Sequence, residues 1–170
     1  MILSGNEDTR PDRAAYLIQE SYASKLYHTD QRAYNKKHQD IIGHPFDKAQ
    51  RILATYNLKA DIIPSTKGGA TSTFDEAHDF VVFLQKYPMD HIILVTDAFH
   101  TSRAHYAFKK ILDLNGLENI KLEMSAASNN IFDESSWYKT EKGISAYILE
   151  PIKYLFYRFH TANTDLVTEN

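Results

Sequence analysis

The run His91-Ile92-Ile93-Leu94-Val95-Thr96, followed at once by Asp97-Ala98-Phe99-His100-Thr101-Ser102-Arg103-Ala104, decides the fold. Its apolar residues are continuous rather than alternating, as in a strand covered on both faces. After it, Ala104, Ala107, Phe108 and Ile111 recur at helical spacing, and Asn115-Gly116 supplies a stop. Before it, Ala77, Phe80, Val81 and Leu84 mark one face of another helix. The pair Thr73 and Glu76 has the spacing of a capping box at the start of that helix. A strand between two helices is the repeating unit of a parallel sheet with right-handed crossovers.

The same alternation extends in both directions. Met1 to Ser4 reads as the end of a buried strand that runs into the turn Gly5-Asn6. Pro11 suits the first turn of a helix carrying Ala14, Leu17 and Ile18. A second short strand is expected within 24–28, a helix over Phe46 to Tyr56, and a third strand at Asp61-Ile62-Ile63 that stops at Pro64. A last strand is expected at Ile120 to Met124, followed by a polar loop from Ser125 to Asn130. The polar, basic stretch 30–43 reads as an inserted helix or a lid-like excursion. The final helix, about 141–160, contains Pro151, which predicts a kink or break. The fold expected is a three-layer α/β domain, doubly wound and Rossmann-like, with a mostly parallel sheet of about five strands. It takes up residues 1–170 as one domain, with 161–170 as a flexible tail.

Composition narrows the function classes. The chain is 43% hydrophobic and 24% charged, with a net charge of −3, so it carries no whole-chain basic footprint for nucleic acid. It has no cysteine, which excludes disulfides, thiolate metal sites and a cysteine nucleophile. No apolar run is long enough to span a bilayer, and the start shows no signal-peptide pattern, so a cytoplasmic location is expected.

In a doubly wound sheet ligands bind beyond the carboxyl ends of the strands. The loops there offer Gly5, Asn6, Arg10 and Arg13, then Lys67, Thr71, Thr73 and Glu76, then Thr96, Asp97, His100 and Arg103. Helix N-termini and arginine forks suit anions, so Arg10, Arg13, Lys67 and Arg103 read as a clamp for a phosphorylated or carboxylated small molecule. His100, at a helix start, reads as an acid/base or ligand contact oriented by Asp97. Asp8, Asp97 and His100 match no metal signature, and none is expected. No dinucleotide fingerprint, P-loop or nucleophile elbow is present.

The stretch Thr71 to Ala77, together with Val95-Thr96 and the following His100, Arg103 and Ala104, resembles the YdcF/SanA-like bacterial family, a domain of unknown function. Gly5 and Arg10 or Arg13 match its first loop, and the likeness runs from residue 2 to about 125. The resemblance implies a Rossmann-like fold and a nucleotide-like or phosphate-bearing ligand. S-adenosylmethionine is associated with some members, and envelope or cell-wall integrity with others. Many relatives carry N-terminal membrane helices. This chain begins within the first strand, which reads as a shortened start or a soluble variant, and 30–43 replaces a usually short loop. The alternative is a non-catalytic envelope scaffold whose apolar last helix (Ile148, Leu149, Tyr154, Leu155, Phe156) docks a partner or forms a homodimer.

Overall fold

The computed structural model describes residues 1–32 and 43–159. Most of the 30–43 excursion and the 161–170 tail lie outside the described residues. The chain runs α1 (Arg10–Gln19), β1 (Tyr27–Thr29), α2 (Pro45–Thr55), β2 (Asp61–Ile63), α3 (Thr73–Lys86), β3 (His91–Asp97), α4 (Thr101–Leu114), β4 (Lys121–Ala127) and α5 (Glu141–Phe159). A tight helical turn, Ala98–His100, joins β3 to α4, and another, Glu134–Lys139, precedes α5.

All strand pairing among the described residues is parallel. β1 pairs with β2, with Tyr27 opposite Asp61, and β3 pairs with β4 from His91–Lys121 to Asp97–Ala127. These are two small sheets of two strands each, four regular strands among the described residues rather than the expected five. The missing one is the first segment, where Ile2 alone bridges His28 on one side and Val95 on the other. The Ile2 amide donates to the Tyr27 carbonyl (2.7 Å), and the Val95 amide donates to the Met1 carbonyl (2.8 Å). The ladder stops there because Ser4 turns its N–H to Thr29 Oγ1 and Glu76 Oε1, 3.0 Å each.

Side chains alternate across these strands, as the pleat requires. Met1, Leu3, Ile92 and Leu94 pack against Phe80, Val81 and Leu84 of α3 and Phe108, Ile111 and Leu112 of α4. Ile2 and Val95 face the other way, onto Ala14, Ala15 and Leu17 of α1 and Leu53 of α2. Helices therefore cover both faces of the central strands, which is why the β3 sequence is apolar without alternation.

Several boundaries differ from the sequence reading. β1 starts only at Tyr27 and ends one residue later than expected, at Thr29, and β4 continues through Ser125 to Ala127 because β3 offers it a full seven-residue partner. α5 is not broken by Pro151: the helix runs on to Phe159, and Pro151 sits on its exposed side. The capping box is displaced as well. Ser72, not Thr73, caps α3, its Oγ accepting from the Asp75 amide at 3.1 Å. Glu76 turns inward instead of back to the cap. Ser72→Ala is accordingly expected to cost about 1 kcal/mol in a urea titration. An unchanged midpoint would show that the Ser72 bond does not support α3.

Candidate functional site

The loops that leave the carboxyl ends of Ile2, β1, β2 and β3 enclose a polar cleft of about 500 Å³, closed on its outer side by α5. Two larger concavities, of about 800 and 860 Å³, lie on the outer face of α4 and at the amino ends of the strands. Among the described residues, neither is lined by a buried carboxyl, imidazole or guanidinium group.

Local backbone features place the lining. Gly5 has φ +129°, and a Cβ there would lie 3.3 Å from the Arg10 guanidinium, so glycine lets Arg10 fold under the loop. Arg10 donates to the Leu3 carbonyl (2.8 Å), the Ser4 carbonyl (2.6 Å) and Asp97 Oδ2 (2.6 Å). The β2–α3 loop is pinned by backbone bonds from Ala70 to Asp30 and from Arg32 to Ala70. Gly69 permits that crossing, since a Cβ there would lie 2.4 Å from the Arg32 Cα. Asp75 ties down the same loop by accepting from the Thr71 amide (3.0 Å), the Thr71 hydroxyl (2.7 Å) and Lys67 (3.2 Å). Burial alone would raise the Asp75 carboxyl, but these bonds lower it to about 2.

Glu150 of α5 was not anticipated, yet it organises the cleft. Its carboxylate accepts from Arg103 Nε (2.7 Å) and the second Arg103 amine (3.0 Å), a two-point fork. Lys153 reaches it at 3.0 Å, and His100 Nδ1 lies 3.2 Å away. Burial pushes the Glu150 carboxyl up, but its bonds to His100 and Arg103 win and hold it well below the usual carboxylate range. Burial, with the charges of Arg103 and Arg10, pushes the His100 imidazole down against the opposing pull of Glu150. Arg103 also donates to Thr73 Oγ1 (3.1 Å) and to the Tyr157 hydroxyl (3.2 Å), and its guanidinium lies over the Tyr157 ring, 5.0 Å from the centroid. That ring stacks on Phe74 at 4.4 Å, which fixes α5 against the start of α3.

Among the sequence-predicted residues, Gly5, Arg10, Thr71, Thr73, Glu76, Asp97, His100 and Arg103 line the cleft. Asn6, Arg13, Thr96 and Lys67 do not. Asn6 donates to Asp97 Oδ1 (3.0 Å), Arg13 to Ser125 Oγ (2.8 Å), and Lys67 pairs with Asp75. Thr96 is fully buried in β3. The expectation that Asp97 orients His100 is corrected: Asp97 is engaged by Arg10 and Asn6, and Glu150 takes the imidazole instead. The physical reason is that Asp97 ends β3 while the turn Ala98–His100 carries the imidazole toward α5.

Glu76 is a buried acid of the cleft beside Asp97 and Glu150. It accepts from Thr29 Oγ1 (2.5 Å) and the Ser4 amide (3.0 Å), and burial pushes its carboxyl up despite those bonds. A raised folded-state value stabilises the protein below the ordinary carboxylate value of 4.5, and that contribution is lost as pH rises through the folded value. Glu76→Gln, which keeps an acceptor for Thr29 and Ser4, is expected to flatten this decline. Urea midpoints measured from acid to neutral pH check it, and parallel wild-type and variant profiles would refute a raised Glu76.

Among the described residues no helix is long and apolar enough to cross a membrane. No family model, curated protein or solved structure matches the chain.

Proposed function

We propose that the chain is a YdcF/SanA-like, doubly wound, Rossmann-like domain that binds a small anionic or nucleotide-like ligand, S-adenosylmethionine or a phosphorylated metabolite, in the cleft at the carboxyl ends of its strands. Parallel pairing with helices on both faces supports the fold part of this reading. The observation that carries the ligand part is the convergence of Arg10, Arg103 and Lys153 with the hydroxyls of Thr71, Ser72 and Thr73 on one cleft of about 500 Å³. That size lies within the usual range for small-molecule sites. Three cations face the carboxylates of Asp97 and Glu150.

The test is a thermal-shift screen with nucleotides, S-adenosylmethionine and sugar phosphates. A ligand at 1,000 times its Kd adds about 4 kcal/mol of stability to the folded state. A shift from one ligand class that is lost in Arg103→Ala supports the reading. Shifts that all survive in Arg103→Ala, or no shift from any of them, refute it.

A second reading, a homodimeric or envelope scaffold module, is favoured by one observation. Ile144, Ile148, Ile152 and Leu155 share one side of α5 and are each 40–57% exposed. Analytical ultracentrifugation of the wild type and Ile152→Glu separates the cases. A dimer dissolved by the charge supports the scaffold reading, and a wild-type monomer at all concentrations removes the dimer.

A further inference from the structure

Thr73, His100 and Glu150 come from the start of α3, the turn after β3 and the middle of α5. They are 5%, 7% and 7% exposed, and all three line the cleft. Their hydrogen-bond roles can be assigned from elementary accounting. The Glu150 carboxylate only accepts, so His100 Nδ1 carries the proton across the 3.2 Å contact. In the neutral ring that leaves the lone pair on Nε2, which lies 3.5 Å from Thr73 Oγ1. Arg103 only donates, and its amine already gives a proton to Thr73 Oγ1 at 3.1 Å. The threonine hydroxyl therefore accepts from Arg103 and has its own proton free for the imidazole. The 3.5 Å gap is long for a finished bond and within the looser range of such pairs before substrate is in place.

We propose that Thr73, His100 and Glu150 form a hydroxyl–imidazole–carboxylate relay in which Thr73 Oγ1 attacks a small carboxylic ester. The proposal rests on the cleft being a ligand site. In the first step Oγ1 bonds to the ester carbonyl carbon while its proton passes to His100 Nε2. The carbon–oxygen bond to the alcohol then breaks, and the leaving oxygen takes that proton. Water, deprotonated by the same Nε2, attacks the acyl-threonine; the bond to Oγ1 breaks and Oγ1 regains a proton. The products are an alcohol and a carboxylic acid. Glu150 acts as a positioning residue, holding the ring and its tautomer. The Asp75 and Glu76 amides are taken by Ser72, which leaves the Thr73 and Phe74 amides at the start of α3 as the donors that would serve the developing oxyanion. Phe99 and Tyr157 give the cleft an aromatic wall that suits a short apolar acyl group.

The experiment uses p-nitrophenyl acetate as the ester, with acid-trapped protein mapped by mass spectrometry. Expected are an acetyl group on Thr73 and nitrophenol release that falls at least 100-fold in T73V, is rescued in T73S and is lost in H100A. E150Q should lower the rate and move the acid limb of the pH profile, where His100 takes up its proton, to lower pH, because Glu150 pulls the imidazole up, and a merely structural Glu150 would not do this. Circular dichroism confirms that each variant is folded. Turnover undiminished in T73V, or no acyl group on Thr73 of the wild type, overturns the proposal. Ligand-induced thermal shifts retained in T73V would then leave the ligand-site reading standing, whereas their absence from the wild type would remove both.

Discussion

Glu150→Ala will destabilise the protein by about 3–5 kcal/mol, the usual cost of removing one partner from a buried ion pair. The loss follows from what the carboxylate leaves behind. Arg103, 13% exposed in its side chain, would lose a two-point partner while its stem stays packed over Tyr157. His100 Nδ1 would lose its acceptor inside the same buried site. The Lys153 contact adds little, because that lysine is about half exposed and screened by solvent. For a chain of this size the cost corresponds to a fall in Tm of roughly 10 °C. Glu150→Gln, which keeps an acceptor but no charge, should fall between wild type and alanine. A loss below about 1 kcal/mol in Glu150→Ala would mean that α5 is not held to the cleft through this residue.

Asp97→Ala is expected to cost a similar amount, about 3–5 kcal/mol, by another route. Asp97 and Arg10 meet at 2.6 Å with side chains only 5–6% exposed. Without the carboxylate, a guanidinium charge would stay buried beneath the Gly5 loop. Arg10 also holds the Leu3 and Ser4 carbonyls, so its displacement should loosen the segment that joins the two strand pairs. Hydrogen exchange at the Leu3 and Val95 amides should quicken in the variant. A double-mutant cycle with Arg10→Met measures the coupling directly, and a well-packed apolar side chain should recover part of the loss. Additive single losses would show that the pair is not coupled.

The parts legible in the sequence were those with local patterns. β3 and α4 were readable because a continuous apolar run ends in Asp97 and is followed by helical spacing. Most of the cleft was readable too, since Gly5, Thr73, His100 and Arg103 sit at strand ends and helix starts. Glu150 was missed because its buried partners, Arg103 and His100, are 47 and 50 residues away, and no local spacing links them. A signal was present nonetheless: Glu150 is the lone acid in the apolar stretch from Ile144 to Phe159, where an unpaired carboxylate would be costly. The partner of Asp97 was misread for the complementary reason. His100 is three residues away in sequence, while the true partner, Arg10, is 87 residues away. Ser72 and Thr73 are adjacent hydroxyls that can each cap a helix, and only the backbone geometry chooses between them.

The joining role of Met1 to Leu3 has a consequence for the order of events during synthesis. The Met1 amine bonds to the Ile93 carbonyl across 92 positions, and the Val95 amide to the Met1 carbonyl. At about 5–20 residues per second, the ribosome adds β3 some 5–20 s after it has made the residues that β3 must pair with. Throughout that interval Ile2 and Leu3 are apolar residues without their main partner. The middle of the sheet therefore closes late, only once β3 has been made.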